Sequence, residues 1–174
     1  VEGVYKSHFK IYYGLIYKSL RKENIATGSQ IWHSDGGPGT CINLMVSLSD
    51  LNENNGAMEI LPWPYSLELF KNEREYINKS TSIEDARSLK AKYYAKRIME
   101  GYKGFVERPC GESGTIIAMK NNTIHRGGFP DQDYSRYVCL FHLYPSVEPT
   151  PFDKYKRKGI AKTGSYPKNP AFGF

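Results

Sequence analysis

Apolar and polar positions alternate in short runs on both sides of a stretch with helical character. In residues 40–48 one face is apolar, and the other carries Cys41, Asn43, Met45 and Ser47. Because alternate side chains of a strand point to opposite faces, the mixed face is predicted to line the polar interior of a barrel. Similar runs predict further strands at residues 9–18, with a break at Gly14, and at 29–33, 57–61, 114–120, 122–126 and 136–144.

Residues 62–103 have a different pattern. A short helix is predicted over residues 65–71, and Thr81 with Glu84 forms a capping box that predicts a second helix to about residue 99. A length of 174 residues suits one domain. The sequence therefore predicts a single domain over residues 1–174, mainly β, with a helical insertion at about 62–103 and an irregular basic tail at about 145–174.

His33 and Asp35 are candidate metal ligands with His125 far downstream. On a strand His33 and Asp35 share a face, while Ser34 and the neighbouring Trp32 point away, so Trp32 is predicted to be core. Two histidines and one carboxylate are the ligand set of a mononuclear non-haem Fe(II) centre with open positions. A structural hydrogen bond between His33 and Asp35 is the alternative. The glycine-rich loop after Asp35 and the downstream histidine favour the metal.

Arg136 is the candidate for binding a carboxylate. Its guanidinium offers paired donors that match a carboxylate, as needed to hold the tail of a 2-oxo acid; the alternative is a structural salt bridge. Asn43 is predicted to contact the same cosubstrate, on the ground of its inward face. Gly127 and Gly128 would let a ligand approach the backbone closely. His142 is expected to lie in the core or at the rim of the barrel. Arg126 is expected to lie at the surface or behind the metal ligands.

Several motifs occur together in an order that resembles the phytanoyl-CoA dioxygenase family. They are the runs at residues 31–35 (IWHSD), 51–62 (LNENNGAMEILP), 111–114 (GESG) and 125–128 (HRGG), followed by Arg136. The resemblance implies a double-stranded β-helix, which is a jelly-roll or cupin-like barrel, and an Fe(II)- and 2-oxoglutarate-dependent oxygenase that uses O2 and releases succinate and CO2. It implies that His33, Asp35 and His125 hold the iron and that Arg136 holds the far carboxylate of 2-oxoglutarate. In this family, insertions like the one at 62–103 cover the mouth of the site; packing on the outside of the sheet is the alternative.

Two other functional classes remain open. One is a cupin-like metalloenzyme that uses zinc or manganese without a 2-oxo acid, which gains support if Arg136 points away from the metal. The other is a jelly-roll binding protein without catalysis, which gains support if His33, Asp35 and His125 do not converge.

Charge and composition limit the partners. The net charge is +6, and basic residues gather in the tail. A solvated tail is favoured over nucleic-acid binding, and the expected substrate is a small molecule, for which an anionic one would suit the charge. No apolar run is long enough to cross a membrane. The three cysteines do not form a disulfide pattern, so a cytoplasmic protein with reduced thiols is expected.

Overall fold

The structure is a computed structural model in which residues 6–19, 26, 28–35, 41–78, 82–131 and 134–146 are described. Six strands form the β part of the fold: β1 (His8–Ser19), β2 (Ile42–Ser47), β3 (Glu59–Ile60), β4 (Ile116–Lys120), β5 (His125–Arg126) and β6 (Arg136–Ser146). Three α-helices lie between β3 and β4: α1 (Trp63–Asn72), α2 (Arg74–Ile77) and α3 (Ile83–Arg97). A π-helical turn (Ile98–Tyr102) and a 3-10 turn (Lys103–Phe105) follow α3. None of the helices in these ranges is long and apolar enough to span a membrane.

The strands form two antiparallel sheets. The larger sheet has the order β1-β6-β2-β4, and the smaller one pairs β3 with β5. Within the described ranges no continuous ladder of hydrogen bonds closes these sheets into a barrel. Isolated backbone pairs, such as His33 with His125 and Ile60 with Glu107, attach neighbouring segments to the smaller sheet.

A first core lies between the two sheets, and the alternation of β2 produces it. The mixed face of β2 points inward as predicted, because Cys41, Asn43, Met45 and Ser47 are all buried. Residues from both sheets and from the loop between β2 and β3 complete this core: Leu51, Met58, Ile117 and Val138, with Tyr17, Ile60, Met119 and Leu140 at its edge. The prediction of which face points inward is therefore correct. The core that this face enters is more apolar than the polar barrel interior that was expected.

A second core joins the smaller sheet to the helices. Trp32 is buried there, as predicted, among residues of the helical segment and of the chain next to β3 and β5: Leu61, Leu69, Tyr93, Tyr94, Ile98 and Ile124. The helical segment is thus a third layer, on the face of the smaller sheet that points away from the larger sheet. Two placements were considered for this segment, over the mouth of the site or on the outside of the sheet. In the structure it packs on the outside of the sheet.

Several predicted boundaries were wrong. Residues 29–33 do not form a strand: Gly28–Gln30 is a 3-10 turn in which Gly28 has φ +55°, and only His33 makes a bridge. The strand predicted at 57–61 is shorter, Glu59–Ile60, and that at 122–126 is His125–Arg126. The strand predicted from residue 114 begins at Ile116.

Other differences concern single residues. β1 is not broken at Gly14; its register shifts between Ile11 and Tyr13, and a Cβ at Gly14 would lie 3.3 Å from the ring of Phe141. The predicted cap residue Thr81 lies outside the described residues. Ser82 caps α3 by accepting a hydrogen bond of 3.0 Å from the amide of Asp85. β6 extends through Ser146, so the segment predicted as an irregular tail from 145 is a strand at its start, and residues 147–174 lie outside the described ranges.

Gly128 offers a test of this fold, because a residue with a Cβ would clash at this position. A Cβ there would lie 2.1 Å from the carbonyl oxygen of Ala57. We expect Gly128→Ala to lower the free energy of unfolding by about 1–3 kcal/mol, since backbone would have to move. Urea denaturation measures the loss. Gly104→Ala is the matched control, because a Cβ at Gly104 meets no atom within 4 Å; equal midpoints for the two variants would contradict the packing described.

Candidate metal centre and anion pocket

The site begins with a backbone pair between two distant segments. The amide of His33 donates to the carbonyl of His125 (3.0 Å), and the amide of His125 donates back to the carbonyl of His33 (2.9 Å). Directly opposed residues in an antiparallel pair hold their side chains on the same face. The two imidazole rings consequently lie side by side, with centroids 4.3 Å apart and an angle of 51° between their planes.

Each imidazole is oriented by a carbonyl two residues before it. Nδ1 of His33 lies 2.7 Å from the carbonyl oxygen of Ile31, and Nδ1 of His125 lies 2.9 Å from that of Thr123. A carbonyl can only accept, so both Nδ1 atoms carry a proton, which leaves Nε2 as the nitrogen with the free lone pair in the neutral form of either ring. Burial, helped by the neighbouring His33, lowers the pKa of His125 to about 4, so this ring is neutral near pH 7. Neutral imidazoles with the second nitrogen fixed in this way are the usual form of a metal-binding histidine.

Asp35 completes the group. Its Oδ1 lies 3.6 Å from Nε2 of His33 and its Oδ2 lies 3.8 Å from Nε2 of His125. All donor atoms of the three residues are within 4.8 Å of one another. The side-chain amide of Asn43 donates to Oδ2 of Asp35, and Asn43 is 0% exposed.

Ser34, between the two ligand candidates, points to the helices. Its hydroxyl is 3.5 Å from that of Tyr94, whose hydroxyl donates to Glu73. Lys90 approaches the same carboxylate, with Nζ 3.4 Å from Glu73 Oε2. Burial and the acceptor Glu73 raise the pKa of Tyr94, which keeps it a donor. The outside layer therefore supports the His33–Asp35 segment from behind.

A cavity of about 360 Å³ opens from these three residues. It is lined by His33, Asp35 and His125 at one part, by Tyr17, Ser29, Gly127 and Arg136, and by an apolar wall of Leu15, Met45, Met58, Met119 and Leu140. The lining includes no residue of the helical segment. A volume of this size is within the range of small-molecule sites, about 300–1,000 Å³.

Arg136 is the charged group of this cavity. It is 2% exposed, its Nε donates to the hydroxyl of Ser19 (3.2 Å), and its Nη1 is buried with no hydrogen-bond partner among the described residues. No carboxylate in these residues lies within ion-pair distance of Arg136, so the structural salt bridge considered for Arg136 has no partner there. Burial lowers the pKa of Arg136, while Tyr17 acts in the opposite direction. A buried cation without a counter-ion costs folding free energy.

The glycines after His125 have two different roles. A Cβ at Gly127 would lie 3.2 Å from Nη2 of Arg136, so its absence leaves room for the guanidinium and for the cavity. Gly128 instead packs against the backbone of Gly56 and Ala57. The expected close approach of a ligand thus concerns Gly127 only.

Tyr17 and Ser19 were not found by sequence reasoning. Both lie on β1, and the alternation of Leu15, Tyr17 and Ser19 toward one face was the available signal. Burial raises the pKa of Tyr17; among the nearby charges Arg136 lowers this pKa and Asp35 raises it. The hydroxyl of Tyr17 therefore stays protonated near pH 7 and is able to donate a hydrogen bond.

Two other residues considered in the sequence, His142 and Arg126, lie outside the cavity lining. His142 is half-buried, and it is opposite Asn43 in the β2–β6 register; burial lowers its pKa, and Asp35 opposes this. Arg126 binds Glu59, with its Nη2 2.6 Å from Oε2, and lies over the ring of Trp32 at 4.8 Å. Burial alone would raise the pKa of Glu59, but hydrogen bonds from Arg126 and Arg108 hold it below its usual value.

The donor set fits a first-row divalent cation. Two imidazole nitrogens and one carboxylate on one side of a cavity leave the other coordination positions open, the arrangement typical of non-haem Fe(II) sites. The roles of His33, Asp35 and His125 as ligands, and of Arg136 and Asn43 in binding a cosubstrate, stay predictions.

Comparisons with known proteins give likenesses of structure only. No protein-family model matches the chain, and no curated protein matches its sequence. The apo form of EctD from S. alaskensis is similar, with 14% identity and a TM-score of 0.52, covering 87% of this chain and 53% of that one. EctD with 2-oxoglutarate and 5-hydroxyectoine is similar at 14% identity with a TM-score of 0.51, and the match covers 87% of this chain and 53% of that one. HygX from Streptomyces hygroscopicus with nickel and 2-oxoglutarate is similar at 10% identity with a TM-score of 0.50, and the match covers 83% of this chain and 59% of that one. This chain therefore spans little more than half the length of these proteins.

These likenesses show the fold. The chain is mainly β and has the double-stranded β-helix fold, with helices added, as the sequence predicted.

Asp35 provides a direct test of the metal centre. We expect Asp35→Ala to weaken binding of Co(II) or Mn(II) by more than about 100-fold, because even the partners of ligands are worth about 10–100-fold in metal affinity. Calorimetric titration of the metal-free protein measures it, with Glu53→Ala, in an exposed turn, as the control. Unchanged metal affinity in the Asp35 variant would rule out this centre.

Proposed function

We propose that this chain carries the active site of an Fe(II)- and 2-oxoglutarate-dependent oxygenase that hydroxylates a small molecule. The narrower likeness to the phytanoyl-CoA dioxygenase family belongs to this proposal. His33, Asp35 and His125 are the proposed iron ligands, and Arg136 is the proposed partner of the far carboxylate of 2-oxoglutarate.

One observation supports the proposal: a buried guanidinium with no counter-ion among the described residues shares a cavity with the two-histidine, one-carboxylate group. Nη1 of Arg136 has no partner in the described part of the chain, and the cavity it lines also reaches His33, Asp35 and His125. A ligand that satisfies both ends needs a carboxylate at one end and a metal-binding group at the other. A 2-oxo diacid has this form, and 2-oxoglutarate is bound in the crystal structures of EctD and HygX to which this chain is similar.

The protein residues supply position, charge and a dry environment. Arg136 binds the far carboxylate through paired donors, and Tyr17 is placed to donate a further hydrogen bond to it. Leu15, Met58 and Leu140 exclude water along the carbon chain of the diacid. Iron, O2 and 2-oxoglutarate, when bound, supply the oxidation: decarboxylation to succinate and CO2 coupled to hydroxylation of the substrate. The carbonyl bonds at Nδ1 of His33 and His125 keep both Nε2 atoms available throughout.

The same geometry weighs against the other two classes. A zinc or manganese enzyme without a 2-oxo acid gives no reason for a buried cation in the metal cavity. A binding protein without catalysis gives no reason for three metal-type donors within 4.8 Å of one another. The substrate class proposed is a small molecule, and the net charge of +6 favours an anionic one.

Substitution of Arg136 tests the proposal. We expect Arg136→Lys to weaken 2-oxoglutarate binding about 10-fold and Arg136→Ala about 100-fold, since a hydrogen bond to a charged group is worth about 1.5–3 kcal/mol and lysine keeps the charge but loses the fork. Anaerobic titration of the Fe(II)-loaded protein with 2-oxoglutarate, followed by its visible charge-transfer band, gives the affinities.

Two controls make this series specific. Arg87→Ala removes an exposed guanidinium on α3 and should leave the band and the affinity unchanged. The affinity for Co(II) without 2-oxoglutarate should be the same in all Arg136 variants, because Arg136 does not touch the donor group. Equal 2-oxoglutarate affinity in wild type and both Arg136 variants would contradict the proposed cosubstrate site.

A further inference from the structure

Asn43 lies at the centre of the larger sheet, where an amide side chain needs an explanation. Its strand, β2, is paired on both sides, with β6 and with β4. The side chain is 0% exposed, and its Oδ1 is buried with no hydrogen-bond partner among the residues that the structure describes. An apolar residue of the same size would fill this position without leaving a buried acceptor unsatisfied. The amide is therefore kept for the one hydrogen bond that it makes.

That bond runs from Nδ2 of Asn43 to Oδ2 of Asp35. The reverse orientation of the amide would bring its oxygen against a carboxylate oxygen, and two acceptors repel each other. The contact with Asp35 thus decides which way the amide points. The lining of the cavity does not include Asn43, so the side chain reaches the centre only through Asp35.

The backbone of Asp35 is held to the same strand. Its amide donates to the carbonyl of Asn121 (3.0 Å), and the amide of Asn121 donates to the carbonyl of Cys41, next to β2 (3.0 Å). With the main chain fixed in this way, rotation of the carboxyl group is the freedom left to Asp35. The bond from Asn43 restricts that freedom by holding Oδ2.

We propose that Asn43 is a positioning residue for the metal: its hydrogen bond to Oδ2 fixes the rotation of the Asp35 carboxylate, whose two oxygens face Nε2 of His33 and Nε2 of His125. A ligand group that is already oriented needs no reordering when the metal binds, so the partner that orients it contributes to metal affinity. This role is an alternative to the predicted contact between Asn43 and the cosubstrate, and it rests on the proposed function only for the presence of a metal at this centre.

The test is metal binding in the absence of 2-oxoglutarate. Asn43→Leu and Asn43→Val both remove the donor; leucine keeps the volume, and valine suits a strand, so at least one is expected to fold. We expect either variant to bind Co(II) about 10–100-fold more weakly than wild type, the range found for partners of metal ligands. The visible spectrum of the Co(II) form should change as well, because an Asp35 carboxylate that is free to rotate alters the ligand set around the ion. Val46→Ala, on the opposite face of β2, should leave both readouts unchanged.

The outcomes separate this inference from the proposed function. Wild-type Co(II) affinity and spectrum in a folded Asn43 variant would overturn the inference, and weaker 2-oxoglutarate binding in that same variant would restore Asn43 as a cosubstrate contact. Loss of Co(II) affinity in the Asn43 variants, with the Arg136 series negative, would leave the positioning role standing and remove the cosubstrate. A wild-type protein that binds no divalent cation would overturn both.

Discussion

The reciprocal backbone hydrogen bonds between His33 and His125 are the contact on which the rest of the site depends. They join the segment before β2 to β5 and place the two imidazoles on the same side. The residues next to them, Trp32 and Ile124, then point to the opposite side and enter the core that binds the helices. One antiparallel pair therefore fixes the metal donors in front and the anchoring of the helical layer behind.

Two buried polar groups near this pair lower the stability of the fold. Arg136 is buried without a counter-ion in the described structure, and one of its nitrogens and an oxygen of Asn43 have no partner. Each such group destabilises the folded chain. Local costs of this kind are expected where a structure serves binding rather than stability, and here both lie within one site. An anion beside Arg136 would offset the first cost, so ligand binding and folding stability are linked at this position.

Sequence reasoning found what local patterns encode. The alternation along β2 and the helical composition after Pro62 each have a physical period, and the mainly β character, the helical segment and the inward face of β2 followed from them. The double-stranded β-helix itself was what the resemblance to a known family implied. The strand predicted to begin at Ser29 was wrong because a 3-10 turn, which starts at Gly28 with a positive φ, includes its first residues. The strands predicted at residues 57–61 and 122–126 were longer than the observed β3 and β5 for another reason. The ends of β3 and β5 are set by hydrogen bonds to partners far along the chain, and the local β-propensity of a segment does not indicate such partners.

The residues that were missed share this non-local origin. Tyr17 and Ser19 approach Arg136 because β1 pairs with β6 in one register, which brings Ser19 opposite Arg136. The alternation along β1 puts these two positions on one face, but it does not show that this face lies beside Arg136. Likewise, alternation placed Asn43 inward, but only the fold of the segment around Asp35 shows which group the amide contacts.

The central claim is that one cavity holds a divalent metal at His33, Asp35 and His125 and a diacid that reaches Arg136. A crystal structure of the Mn(II)-loaded protein with 2-oxoglutarate, with the metal located by its anomalous signal, tests this most directly. The account predicts one metal at about 2.0–2.2 Å from Nε2 of both histidines and from one oxygen of Asp35, with the far carboxylate on the guanidinium of Arg136. A metal bound elsewhere, or a diacid that leaves Arg136 without a contact, would contradict it.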